Sequence, residues 1–364
     1  MKVCVYLEHG YSSNWSGGVR RAHDNQIKAI KAAGVQVTTD PSESFDILHL
    51  HSVGPLSLYL TEKYSGRRPI VIHGHTTAED FANSFRLSDT IAPYLGRYLR
   101  FFYAKADMVI APSPYAREVL RSYELDRPIE VVSNGVDLRR FSPDRRKRLL
   151  GRVRYDLDGV VAFSVGLVVL RKGVDLFCDV GRLLPDHTLM WFGRIHKAVK
   201  VETLRVIEAA PENVRFTGFV EDVAEAHASG DIFFFPSTVE NEGIAILEAA
   251  ACGKPLVLRD AECFSGRFEH GVNCLKGETP EEFAALLTQV AGDPALTARL
   301  SAGALEYART HSLELVGQRL KQIYGQLMQP GSSLRPWGAS RDGASTCGRR
   351  ATRRAPSFPT RSHR

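Results

Sequence analysis

The sequence predicts an α/β protein made of two parallel-sheet domains. Three observations carry that expectation. Short apolar runs alternate with amphipathic stretches along both halves of the chain. The alternation restarts after a polar, proline-containing segment near the middle. A length of 364 residues suffices for two separate cores.

Taken in order, "VCVYLE" is strand-like, and "RRAHDNQIKAIKAAG" has helical spacing closed by a glycine that reads as a C-cap. "VQVTTD", "FDILHLH", "PIVIHGH", "ADMVIAPS" and "IEVVSNG" are further strands, most of them separated by helical stretches. The second half repeats the pattern with "VVAFSVG", "HTLMWFG", "NVRFTG", "DIFFFPS" and "KPLVLRD". The boundary is expected within "RRFSPDRRKRLLGRVRYDLDG", which gives domains 1–150 and 151–329. A helix-forming run from Pro294 to Met328 closes the fold, with a last helix able to cross back to the first domain. No internal repeat of solenoid length is present.

Bulk properties exclude several classes. Hydrophobic content of 44% and charged content of 24% are ordinary for a globular protein. The longest apolar stretch, Val160 to Leu170, falls short of the roughly 20 residues that span a bilayer. The N-terminus meets Glu8 before any signal-peptide core develops. Six scattered cysteines without a CxxC pair indicate reduced thiols and a cytoplasmic protein. The net charge of +6 is concentrated in residues 330–364, a Gly/Ser/Pro/Arg-rich tail expected to be disordered. Without that tail 39 basic residues face 40 acidic ones, so no nucleic-acid partner is expected.

Chemistry in open α/β sheets gathers at the carboxyl ends of the strands. After "DIFFFPS" comes Glu240, then Asn241, then a helix beginning near Gly243 and carrying Glu248. Free amides of Gly243 and Ile244 at the helix start suit a phosphate. One carboxylate thus stands before an anion site and one beyond it. That arrangement suits a nucleotide-sugar: the transferred sugar at Glu240, the diphosphate between, and the ribose at Glu248. The bland alternative makes Glu240 a solvated loop acid and Glu248 a surface helix residue.

"PSTVENEGIAILEAAACGKPLVL" closely resembles the E-x7-E signature of retaining glycosyltransferases of the GT-B fold, family 4. The resemblance implies two Rossmann-like domains facing across a cleft, the first for the acceptor and the second for the nucleotide-sugar. Glu242 stands where the family has an aromatic residue, and Asn241 where glycine is common. "FSVGLVVLRKGVDLF" resembles the family's V-G-R-L-x-x-x-K-G segment and implies that Lys172 meets the donor diphosphate. The usual arginine is Leu167 here, with Arg171 as a substitute donor-binding cation. "NWSGGVRRAHDNQ" resembles the N-terminal glycine loop, with Gly17 and Gly18 admitting an anion and Arg20 or Arg21 assisting.

"IVIHGHTTAEDF" resembles a run in diacylglycerol-glucosylating members and implies His75 as the active-site histidine, with His73 the alternative. His49, His51, Asn134 and Asp137 are expected to shape the cleft. Asp156-Leu157-Asp158 precedes a strand and reads as a solvated loop; Cys263 and Cys274 lack zinc-site spacing, and neither a metal nor another cofactor is expected. "APYLGRYLRFFYAKAD" crowds aromatic and basic residues, which suits either a core helix or one lying on a lipid surface. The expectation is therefore hexose transfer from a nucleotide-sugar, UDP-hexose favoured, to a diacylglycerol-like lipid by a peripheral membrane enzyme. A polysaccharide or soluble acceptor, or a silent nucleotide-sugar binder, are the alternatives.

Overall fold

A computed structural model describes residues 1–8 and 17–329; the basic tail and residues 9–16 of the glycine loop lie outside them. The first domain runs β1 (Lys2–Tyr6), α1 (Gly18–Ala32), β2 (Gln36–Thr38), β3 (Ile47–Leu50), α2 (Pro55–Tyr64), β4 (Ile70–His73), α3 (Ala78–Phe81), α4 (Ser88–Tyr103), β5 (Met108–Ala111), α5 (Pro114–Ser122) and β6 (Ile129–Val131). The second runs α6 (Arg145–Arg154), β7 (Val161–Val165), α7 (Val174–Leu183), β8 (Thr188–Phe192), α8 (Val201–Glu208), β9 (Val214–Phe216), α9 (Val223–Ser229), β10 (Ile232–Phe235), α10 (Ile244–Ala251), β11 (Leu256–Arg259), β12 (Leu275–Gly277), α11 (Pro280–Gly292) and α12 (Pro294–Arg309). The closing helix is α13 (Leu313–Leu327).

The strands form two six-stranded sheets, ordered β2-β1-β3-β4-β5-β6 and β12-β11-β10-β7-β8-β9. Neighbouring strands run parallel throughout both sheets. Strand order reverses between β1 and β3 and again between β7 and β10, which opens a crevice at the carboxyl ends of each pair. Both faces of each sheet are covered by helices, so β5 (MVIA) and β10 (IFFF) are continuous buried apolar runs. β12 escapes a reading by pattern because its three residues, LKG, have no apolar period.

The Pro294–Met328 run is two helices. Ser312 caps the second, its hydroxyl accepting the Leu315 amide. That helix, α13, packs in the core of the first sheet, where Leu313, Val316, Leu320 and Ile323 join Val3, Val5 and Ile47. A Cβ at Gly317 would lie 2.0 Å from the Ala29 carbonyl oxygen, so this glycine permits the close α1–α13 crossing. At the other end of the boundary, α6 packs on α9 through Gly151, whose Cβ would meet Ser229 and Glu225. The five cysteines among the described residues are free and buried.

Candidate active site

The site lies where the loops after β7 and β10 face the start of α1 and the loops after β3 and β4. Gly173, at φ +75, lets the turn Leu170–Lys172 press on the loop after β10, since a Cβ there would lie 2.4 Å from the Pro236 oxygen. That contact brings Lys172 to Glu240: the ammonium donates to Oε1 at 2.5 Å. Ser237 Oγ donates to the same oxygen at 2.8 Å, and Arg171 Nη1 reaches it at 3.3 Å. Burial alone would raise the Glu240 carboxyl, but Lys172 and then Arg171 bring it below its usual range. Glu240 is therefore a buried, ionised acid and not a solvated one.

Arg171 is a junction residue. Its guanidinium pairs with Asp80 of the first domain at 3.0 Å, donates to Ser84 Oγ at 3.0 Å, and reaches the Val239 carbonyl. To meet a donor phosphate, as its place in the sequence implies, it would have to exchange those partners.

Asn241 ties the two domains. Its amide donates to the His75 carbonyl at 2.8 Å, and its oxygen accepts from Thr77 Oγ1 at 3.2 Å. Ser113 Oγ donates to the Asn241 backbone carbonyl. The next residue, Glu242, accepts the Asn134 amide at 3.0 Å. Burial lifts its carboxyl to about 7, against the pull of hydrogen bonds from Ser133 and Asn134 and of the Arg267 charge.

Gly243 caps α10 in the left-handed region, φ +86, and Ile244 is the first helical residue. Farther along, Glu248 is 1% exposed, so it is no surface residue. Arg21 Nη1, from the first turn of α1, contacts both its oxygens, at 2.9 and 2.6 Å. His227 Nε2 meets Oε2 at 3.2 Å. Burial pushes the Glu248 carboxyl up, and Arg21 and His227 outweigh it and hold it low. Gly17 caps α1 and Gly18 opens it, and among the described residues a Cβ at either would meet nothing within 4 Å.

His75 is 8% exposed, and its Nε2 faces His51 Nδ1 at 2.8 Å. His73, the alternative, is stacked directly on it with ring centroids 4.0 Å apart. Burial holds both rings well below the usual imidazole range, so both are neutral at pH 7.

The fold thus joins Lys172, Arg171 and Glu240 directly, hangs Asn241 on His75, and brings the start of α1 to Glu248. Reading the sequence alone misses Asp80, Ser84, Ser113, Ser237 and His227. Asp80 and Ser237 sit inside the motifs and were open to notice; His227 is a lone histidine in the alanine-rich "VAEAHAS" and gives no signal.

Comparison with known proteins identifies the family and the fold. Residues 39–140 match Glycosyltransferase Family 4, and residues 151–307 match Glycosyl transferases group 1. The chain is 31% identical over 335 residues to a processive diacylglycerol alpha-glucosyltransferase of Acholeplasma laidlawii, covering 90% of this chain and 99% of that one. It is 25% identical over 314 residues to an alpha-galactosylglucosyldiacylglycerol synthase of Streptococcus pneumoniae, covering 82% of each. Among solved structures, Anabaena HepE in complex with UDP-glucose superposes with a TM-score of 0.70 at 19% identity, over 90% of this chain and 100% of that one. The fold of these neighbours is GT-B.

Proposed function

Since the chain belongs to the group 1 glycosyl transferases and is a hexosyltransferase, we propose that it moves a hexose from UDP-hexose to the hydroxyl of a diacylglycerol-like lipid, with retention at the anomeric carbon. One observation carries the reading. An ammonium and a buried carboxylate, Lys172 and Glu240, are bonded at the switch point of the second sheet, and the next residue, Asn241, reaches the His75 carbonyl of the first domain.

In this proposal Glu240 exchanges Lys172 for hydroxyls of the hexose when donor enters. Lys172 and the first-turn amides of α10 then hold the diphosphate. As the bond from C1 to the diphosphate oxygen breaks, Lys172 offsets the charge that gathers there. The acceptor oxygen bonds C1 on the same face and passes its proton to the departing diphosphate. Glu248 takes the ribose hydroxyls once Arg21 gives way. The neutral His75 lines the acceptor side. The leaving group is met by fixed protein cations, so the transfer needs no metal. Closure of the domains excludes water, which otherwise hydrolyses the donor.

The lipid acceptor rests on the shape of the first domain. Ile91 and Tyr94 share an outer face of α4 and Leu87 caps that helix; all three are exposed, Tyr94 at 67%. Leu56 and Tyr59 of α2 are also exposed. The two helices adjoin, since Tyr98 on α4 donates to the Val53 carbonyl just before α2. The Arg97 guanidinium lies over the Tyr94 ring, 5.9 Å from its centroid. Leu99, Phe102 and Tyr103 of the same helix are buried, so α4 packs in the core and also offers an apolar, basic outer face. Among the described residues no helix is long and apolar enough to cross a membrane.

The test presents purified protein with UDP-glucose or UDP-galactose and diacylglycerol in anionic vesicles, and the product is read by mass and anomeric coupling. An α-linked hexosyl lipid is expected. Transfer only to soluble sugars would replace the acceptor, and a β-linked product would remove retention.

A further inference from the structure

Two neighbouring strands lead into His-x-His, with His49 on β3 and His51 just after it, and His73 ending β4 with His75 two residues on. Strand periodicity puts His49 and His51 toward one side of the sheet. The register sets His49 beside Val71 and Leu50 beside Ile72, which brings the pairs together. The result is a buried stack: His49–His73 centroids at 5.7 Å, His51–His73 at 5.0 Å and His49–His51 at 4.5 Å. Sealed inside it are His49 Nε2, His51 Nε2 and both nitrogens of His73, none with a hydrogen-bond partner. Each buried polar atom left so costs stability. Such a cluster calls for an occupant.

We propose that His49, His51 and His73 bind one transition-metal dication, zinc-like in preference, at the cleft edge of the first sheet. One ligand atom from each lies within 4.8 Å of the others. Among the described residues no other group of this kind occurs. A tetrahedral zinc with bonds of about 2.0–2.1 Å needs nitrogens roughly 3.4 Å apart, within reach of small ring rotations. The rings are neutral, the form that coordinates.

The outer contacts fit as well. His49 Nδ1 meets the Tyr324 hydroxyl at 2.7 Å, and His51 Nδ1 meets His75 Nε2 at 2.8 Å, which fixes both rings with Nε2 turned inward. For His49 and His51 the second ring position thus has an oxygen or nitrogen to orient it, as metal-bound imidazoles usually do. With His51 metallated at Nε2, its Nδ1–H donates to His75 Nε2, so His75 carries its own proton on Nδ1. The ion would set the tautomer of the residue that faces the acceptor, apart from Lys172 and the leaving group. Three neutral ligands leave a fourth position for water. Imidazole donors favour Zn, Cu, Ni or Fe over Mg or Ca.

Untagged full-length protein, stripped with chelator, is titrated with Zn²⁺ and Co²⁺ and followed by metal content and thermal melting. About one equivalent should bind, with a higher melting temperature. His73→Phe keeps the ring and removes the nitrogens; it should lose at least ~10-fold in affinity while melting like wild type in chelator. Equal binding by wild type and His73→Phe would mean surface histidines only and would overturn the site, as would no saturable binding. Should His73→Phe fail to fold, X-ray absorption of zinc-loaded wild type decides: imidazole nitrogens at about 2.0–2.1 Å support the site, and an all-oxygen shell rejects it. None of these readouts depends on glycosyl transfer.

Discussion

At the scale of single residues, the buried Lys172–Glu240 pair makes the sharpest demand. Replacing Lys172 by Ala leaves a charge-deficient pocket for the diphosphate, and turnover should fall ~10²-fold or more, as when one preorganised donor is lost. Wild-type-like turnover by Lys172→Ala would remove that residue from the chemistry. Glu242 gives a prediction in pH. Its folded pKa of about 7 stands above the ordinary 4.5, so the native state keeps a proton that the unfolded chain has released. Stability from this group is therefore lost as pH rises from about 4.5 to about 7. Glu242→Gln retains an acceptor for the Asn134 amide without the charge. It should gain on wild type by ~1–3 kcal/mol between pH 5 and pH 8, and parallel pH-independent melting curves would exclude it. The motif residues Lys172, Glu240, Asn241 and Glu248 were legible because strand ends and a helix start place them by sequence alone. The pairings of Arg171 with Asp80 and of Arg21 with Glu248 were not, because contacts between residues 91 or 227 positions apart follow from how two domains meet.

At the scale of elements, eleven of twelve strands were readable, the central ones because fully buried parallel strands leave continuous apolar runs. β12 was not, since LKG offers a single large apolar side chain, Leu275. The crossing of α13 over α1 depends on Gly317. Gly317→Ala forces a Cβ to within 2.0 Å of the Ala29 oxygen, so the helices must separate, at a cost of ~1–3 kcal/mol. Denaturant melts of the variant should show that loss; an unchanged midpoint would mean that α13 sits less tightly than described. The outer face of α4 was ambiguous in sequence because one helix serves both core and surface. Leu87→Ser, Ile91→Ser and Tyr94→Ser together should cut binding to anionic vesicles at least ~10-fold, since each buried apolar side chain contributes ~1.5–3 kcal/mol. Donor hydrolysis in solution should remain near wild type. Unaltered vesicle binding would move the lipid contact elsewhere.

At the scale of the whole molecule, the described state has its two domains drawn together by polar ties. Arg21 clasps Glu248, Arg171 clasps Asp80, Asn241 reaches His75, and Lys200 bonds Asn83 and Asp89, each at 2.6 Å. Several of these ties use the groups assigned to the donor. Protein side chains thus occupy, in each other's company, positions that the sugar, phosphates and ribose would take over. Donor binding should accordingly exchange ties for ligand contacts and shift the domains against each other. The measurement closest to this claim is a crystal structure with an intact UDP-hexose. It should show Lys172 Nζ at hydrogen-bond distance from a diphosphate oxygen, Glu240 on a hexose hydroxyl, and Glu248 released from Arg21 onto the ribose. A nucleotide seated outside the crevice between β7 and β10, with the Lys172–Glu240 and Arg21–Glu248 pairs intact, would contradict it.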